Sequence, residues 1–247
     1  MALFSDEGLV LETHPYRDRD LVVVLLARGH GALRAVFRGA RAGKAPKSAE
    51  TQVLTHVRFS AYLGPHAEMA TLREVEAVQS SFPLAASLER AAAAAVVAEL
   101  LASFFPTAEP AHTPFRLGRS ILAFLLDDGE ARRAVVYAQF WALMLCGVLP
   151  PLDRCTGCGS SLHGATHIAV TGGQPRCDHC SVPGAETLDE LALRFLGLCR
   201  VTPIEQLAVE PPAAAANWLD VLTRQEAGRS LPALDFFKKH ALPETIP

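Results

Sequence analysis

Near residue 80 the hydrophobic period of this 247-residue chain changes from two to about 3.6, which restricts the fold to a β unit followed by an α unit. Gly8–His14, Asp20–Leu26 and Gly31–Phe37 are short apolar or β-branched runs, separated by Pro15 and by the Gly29-His30-Gly31 turn. Residues 53–62 then alternate Val53, Thr55, Val57, Phe59 and Ala61 against polar neighbours, and a fifth run covers 68–75 after the Gly64-Pro65 turn. Five strands this short and this closely spaced predict a small closed barrel, which leaves no exposed edges.

Beyond Pro83 the apolar residues recur at three and four. The spacing predicts helices over 84–105, from a Thr113-Pro114 cap to about 126, over 130–147, from a Thr187–Glu190 capping box to 199, and near 213–227 and 231–240. Forty alanines inflate the apolar fraction, and their runs fall inside these helices, where small side chains favour close helix packing. The expected class is α+β and multi-domain. Its parts are a barrel at 1–79, a helical bundle at 80–153, a cysteine-rich insertion at 154–184 and the rest of the bundle at 185–247.

Within the insertion, Cys155-x2-Cys158 and Cys177-x2-Cys180 have eighteen residues between the inner cysteines. That spacing fits a four-thiolate zinc site, because each tight turn aims two sulfurs at one ion and four ligands leave no place for a reactive water. One structural Zn2+ is expected. His163, His167 or His179 offers an alternative to one thiolate, and a redox C-x2-C pair is the competing reading. Cys146 and Cys199 read as core thiols on apolar helix faces.

The net charge of −3 conceals a segregated pattern. Residues 28–47 hold Arg28, Arg34, Arg38, Arg41, Lys44 and Lys47 without one acid. Such a run, threaded with glycine and alanine, suits a phosphate chain. Arg34, Arg38, Arg41, Lys44, Lys47 and Arg58 are the candidate nucleic-acid contacts, and Tyr16, Phe37, Phe59 and Tyr62 the candidate base-stacking surfaces. Gly43-Lys44-Ala45 breaks the phosphate-loop pattern, G-x-S-x-G and H-E-x-x-H are absent, and no paired carboxylates form a metal site. A non-enzymatic binding protein is therefore expected. No apolar run reaches the roughly 20 residues that span a bilayer, and the opening residues lack a basic export leader, so a cytoplasmic location is expected.

The run Gly8-Leu-Val-Leu-Glu-Thr-His-Pro-Tyr-Arg-Asp-Arg-Asp-Leu-Val-Val-Val-Leu-Leu, then Gly29-His-Gly31, Phe37-Arg-Gly-Ala-Arg and Leu72-Arg-Glu-Val-Glu76, resembles the bacterial recombination mediator family RecO. The order barrel, bundle, late cysteine pairs extends the likeness over the whole chain. The resemblance implies an N-terminal OB-fold, a helical domain and a zinc-finger insertion. It also implies binding to single- and double-stranded DNA and annealing of complementary strands. Its partners would be RecR and single-stranded-DNA-binding protein, with RecA loaded indirectly, in the cytoplasm and at the nucleoid during repair. A receptor for the acidic, apolar tail of the single-strand-binding protein would need an apolar groove edged by cations, with Arg116 and Arg119 or Arg132 and Arg133 as candidates. The alternatives are an OB-fold RNA-binding or transcription-associated protein and a zinc-containing interaction scaffold.

Overall fold

A computed structural model describes residues 2–41, 50–64, 67 and 69–241. Five strands, β1 (Ala2–Tyr16), β2 (Asp20–Ala27), β3 (Gly31–Phe37), β4 (His56–Leu63) and β5 (Ala70–Gln79), close into a barrel in the order β1-β2-β3-β5-β4. All pairings are antiparallel except β3 with β5, and this 1-2-3-5-4 closure is the OB-like topology expected. The long β1 serves two neighbours: residues 2–9 pair with β4 and residues 8–16 with β2, and an irregularity between Val10 and Glu12 lets the strand bend round the barrel.

Alternation decides what fills the interior. Val23 and Leu25 of β2, Ala35 and Phe37 of β3, Val57, Phe59 and Ala61 of β4, and Leu72 and Val75 of β5 form one buried cluster. On the outer wall Leu9 meets the helix that carries Gly118, where an added Cβ would lie 2.5 Å from the Leu9 side chain and 2.7 Å from that of Leu101.

The helices begin and end differently from the sequence expectation in four places. A 3-10 turn at Phe82–Ala86 precedes α1 (Leu88–Phe104), because the Ser87 hydroxyl accepts from Arg90 N and caps a fresh helix. Next, α2 (His112–Leu126) starts ahead of Thr113-Pro114, with Ala111 at the cap. After α3 (Ala131–Leu145), Thr187 belongs to a strand, and Asp189 caps α4 (Glu190–Val201) through Ala192 N at 2.8 Å. Finally α5 (Ala213–Glu226) is followed by a short α6 (Pro232–Phe236) that widens into a π turn at Phe237–Ala241.

Two compact units emerge, Met1–Ala134 with Leu231–Pro247 and Val135–Ser230, and the first holds the barrel with α1, α2 and α6. In the first unit α1 is buried on nearly every side, and its Glu99 reaches the start of α6, accepting from Ala233 N at 3.0 Å and Leu234 N at 3.1 Å. In the second unit a three-stranded sheet, β6 (Ile168–Thr171), β7 (Gln174–Arg176) and β8 (Glu186–Leu188), lies in the order β7-β6-β8, as a zinc-ribbon-like insertion has a small sheet beside its cysteines. Trp218 of α5 donates its indole N–H to Gly173 O in the β6–β7 turn at 2.8 Å. Among the described residues no helix is long and apolar enough to cross a membrane.

Candidate nucleic-acid interface and metal centre

The register of the barrel brings the β1–β2 turn, the exit of β3 and the start of β5 to one end. Two hydrogen bonds fasten the first pair: Gly39 N donates to Asp20 Oδ1 at 2.8 Å, and Arg41 N donates to Arg19 O at 2.9 Å. Arg17, Arg19, Arg38 and Arg41 are consequently exposed around one rim, and Arg34 stands exposed on the outer wall of β3 beside Val24. One step beyond the Phe37–Leu72 pair on the two parallel strands come Arg38 and the exposed Arg73. None of these six arginines has an ion pair among the described residues.

Other candidate contacts fall elsewhere. Lys44 and Lys47 lie outside the described residues. Arg58, on β4, sits between two carboxylates, with Glu7 at 3.8 Å and Glu76 at 3.5 Å, so its charge is already offset. Arg28 follows β2 at the opposite end of the strands from Arg38, which means that the basic run does not form one patch.

The aromatic candidates also divide. Phe37 and Phe59, each 2% exposed, are barrel core; the inward phase of β3 and β4 hides both rings and removes them as stacking surfaces. Tyr62 is half-buried on the outer wall. Tyr16, half-buried at the end of β1, is on the rim, with the Arg17 guanidinium 5.1 Å from its ring centroid. Around it lies a depression of about 350 Å³ lined by Tyr16, Arg17, Asp20, Val36, Arg38, Ala67, Met69, Ala70 and Thr71. Sequence reading passed over Arg17, Arg19 and Arg73. The alternation Arg17-Asp18-Arg19-Asp20 balances on paper, yet Asp20 is occupied by Gly39 N, and only the strand register shows where Arg73 lies.

The second feature is the group Cys155, Cys158, Cys177 and Cys180, whose sulfurs all lie within 4.8 Å of one another. Cys158 Sγ and Cys177 Sγ are 3.7 Å apart. A tetrahedron with metal–sulfur bonds of about 2.3 Å has edges of about 3.8 Å, so the four sulfurs fit a tetrahedral soft-metal site. Each pair is held by its own turn, Gly159 N donating to Cys155 O at 2.9 Å and Ser181 N to Cys177 O at 2.9 Å. Thr156 N and its hydroxyl both donate to Pro175 O, at 3.0 and 2.9 Å, which ties the first turn to β7. Gly157 lets the two turns approach closely: a Cβ there would push aside the Arg176 guanidinium, 2.4 Å away, and crowd Cys180 Cβ and Sγ at 3.2 Å.

The thiols respond to this crowding in opposite directions. Backbone N–H groups, that of Cys177 foremost, bring the Cys155 thiol down to about 6. Hydrogen bonding to Cys158 and then Cys177 pushes Cys180 up to about 12. Four sulfurs at this spacing cannot all ionise unless a cation sits among them. Among the described residues no histidine joins the group; His163 and His167 lie beside Asp153 and Asp178 instead, at 4.0 and 3.5 Å. Burial pushes the Cys199 thiol up to about 12, as a core thiol requires, whereas Cys146 is exposed where α3 ends, a correction to the expected core position.

With this geometry in place, comparison with known families is decisive. The family model described as Recombination protein O N terminal matches residues 1–81, and that described as Recombination protein O C terminal matches residues 85–233. The chain belongs to the RecO family. The DNA repair protein RecO of Moorella thermoacetica is 30% identical over 248 residues, covering 91% of this chain and 90% of that protein. Those of Symbiobacterium thermophilum and Anaeromyxobacter are 31% identical over 192 residues and 28% over 241, covering 76% and 94% of this chain and 75% and 89% of theirs. The break between the two RecO family models falls in the 3-10 turn between β5 and α1, so the family boundary follows the change from strand to helix.

Proposed function

We propose that this RecO family member is a recombination mediator in DNA repair. It binds single- and double-stranded DNA at the barrel end, anneals complementary strands, and acts with RecR and single-stranded-DNA-binding protein to promote RecA loading. The observation that carries the reading is the set of exposed arginines Arg17, Arg19, Arg38 and Arg41, brought to one rim of an OB-like barrel, with Arg34 on the adjoining wall of β3, all without carboxylate partners among the described residues. Cations placed this way neutralise phosphates on two strands and lower their mutual repulsion, so pairing proceeds without nucleotide hydrolysis. The protein is then a non-enzymatic catalyst of encounter, working in the cytoplasm at the nucleoid.

The four-cysteine centre supports one structural Zn2+, which would cross-link the two turns of the insertion and supply no reactive position. For the tail of the single-strand-binding protein, the groove of about 680 Å³ whose lining includes Phe140, Met144, Leu149, Leu196 and Trp218 suits an apolar peptide, and Arg200 lines it as a partner for a carboxylate. Arg133, by contrast, lies 5.9 Å from the Phe124 ring centroid, and Arg132 and Arg133 both have their backbone N–H groups on Glu130.

The test is annealing of complementary oligonucleotides, with and without single-strand-binding protein. Acceleration in both conditions, lost on charge reversal of Arg38 and Arg41, is the expected result. Preferential retention of RNA in competition with DNA would favour an RNA-binding protein, and no retention of either would leave a protein scaffold.

A further inference from the structure

We infer that the depression at the rim is a pocket for one unstacked nucleotide, which makes the barrel end discriminate single-stranded DNA from duplex. This rests on the reading of the rim as the DNA interface and specifies what enters it. The volume of about 350 Å³ is at the low end of small-ligand pockets, which run from about 300 to 1,000 Å³. It suits one base with its sugar and not a stacked pair.

The chemistry of the lining assigns the parts of the occupant. Val36 and Met69 give an apolar surface, and Tyr16 adds an aromatic ring, the combination on which any base can stack. Asp20 also lines the pocket, with its carboxylate held by Gly39 N, so a phosphate is repelled from the interior. Phosphates belong instead on Arg17 and Arg38, which line the same pocket, and on the neighbouring Arg19 and Arg41. A paired, stacked base cannot reach Tyr16 without leaving its duplex, whereas the backbone of either form can reach the arginines.

Backbone geometry gives a second observation. Arg17 has φ +52°, in the left-handed region where a glycine or asparagine is at ease and an arginine is strained. What the strained position delivers is a guanidinium 5.1 Å from the Tyr16 centroid, so a planar cation and an aromatic ring are presented together. A turn serving only to reverse the chain would be better made with glycine.

The experiment measures binding of an oligodeoxynucleotide carrying one fluorescent adenine analogue, as a single strand and as a duplex, to the full chain and its variants. Tyr16→Ala should weaken single-strand binding about tenfold, within the range for loss of one stacked base, and leave duplex affinity unchanged. Tyr16→Phe should restore the wild-type value and the fluorescence quench of the stacked analogue. Arg17→Gly should weaken single-strand binding while thermal stability holds or rises, separating the guanidinium from the fold. Arg38→Glu with Arg41→Glu tests the underlying reading, since it should weaken both DNA forms. If that double variant binds both forms normally, the rim is not the DNA interface and the pocket falls with it. If it loses binding while Tyr16→Ala does not, or if Tyr16→Ala weakens both forms equally, the rim stands and the nucleotide pocket is refuted.

Discussion

Replacing Arg38 and Arg41 together by alanine gives a number that does not depend on knowing every contact. Each phosphate neutralised on a single strand contributes about −0.7 to the slope of log K against log salt. Five contacts, the rim arginines Arg17, Arg19, Arg38 and Arg41 with Arg34 on the adjoining wall, predict a slope of about −3.5, and removal of two leaves about −2.1. Between about 50 and 200 mM salt the wild type should then lose roughly 100-fold in affinity, and the double variant only about 20-fold. Adding Lys44, Lys47 or Arg73 to the contact set leaves the difference of about 1.4 between the two slopes unchanged. Fluorescence anisotropy with an unstructured oligodeoxynucleotide over a salt series measures it. The fold should be indifferent, because both side chains are exposed and the bond that fixes this corner uses Arg41 N and Arg19 O, which alanine retains; such surface changes stay within about 0.5 kcal/mol. Arg58→Ala is the internal control, since its carboxylate neighbours already offset it, and its slope should match the wild type. Equal slopes for the wild type and the double variant would refute the assignment of phosphate contacts to the rim.

Elemental analysis of the purified protein should find one zinc per chain, and Cys158→Ser should lose it; chelation should open residues 155–180 to protease while the barrel stays resistant, and a zinc-free protein with a protected insertion would contradict the metal reading. Glu99→Ala removes the acceptor of Ala233 N and Leu234 N and should cost about 2–4 kcal/mol in a urea titration, whereas a change under about 0.5 kcal/mol would show that the carboxylate does not hold α6. Burial pushes the buried His56 imidazole below its ordinary value, against the opposing pull of Glu7 3.3 Å away, so the native state keeps it neutral. The unfolded chain then binds the proton more readily; the stability contributed by neutral His56 is present above about pH 6.5 and is lost as the pH falls below it. His56→Gln should flatten that fall in denaturant midpoints measured from about pH 7.5 to 5.5, and an unchanged pH profile would count against the buried neutral histidine.

The barrel was legible because burial imposes a period of two. Val57, Phe59 and Ala61 alternate inward along β4 as their spacing demands, and the same rule that identified the strand also hides Phe59 from any base. Aromatic residues in a predicted strand carry no label for inside or outside until register is known, which is why Phe37 and Phe59 looked equivalent to Tyr16. The helix starts were less legible because several polar residues compete for each cap. Ser87 and Asp189 win because their side chains reach the free N–H groups of Arg90 and Ala192, whereas Thr187 is drawn into β8 by pairing with Ala169.

Charge shows most clearly what a linear reading misses. A window of sequence treats Arg28 and Arg38 as members of one run, but β3 carries the chain from one end of the barrel to the other between them, and an antiparallel partner is needed to return to the rim. Arg17 and Arg19 complete the cluster from the preceding turn, where the intervening acids had seemed to cancel them. The cysteines behave differently because one ligand set specifies its own geometry. Around them, among the described residues, Cys155, Leu162 and Ile168 form a buried cluster with Leu152, Ala165, Cys177, Cys180 and Leu193 packed half-buried against it, three of the eight being themselves candidate ligands. A core that small does not offset the conformational entropy of ordering the insertion, so the segment needs a cross-link that hydrophobic burial cannot provide. The barrel closes through strand pairing and an alternating interior; the insertion closes through its sulfurs. Loss of metal should therefore be felt locally, within 155–180, and leave the arginine rim intact.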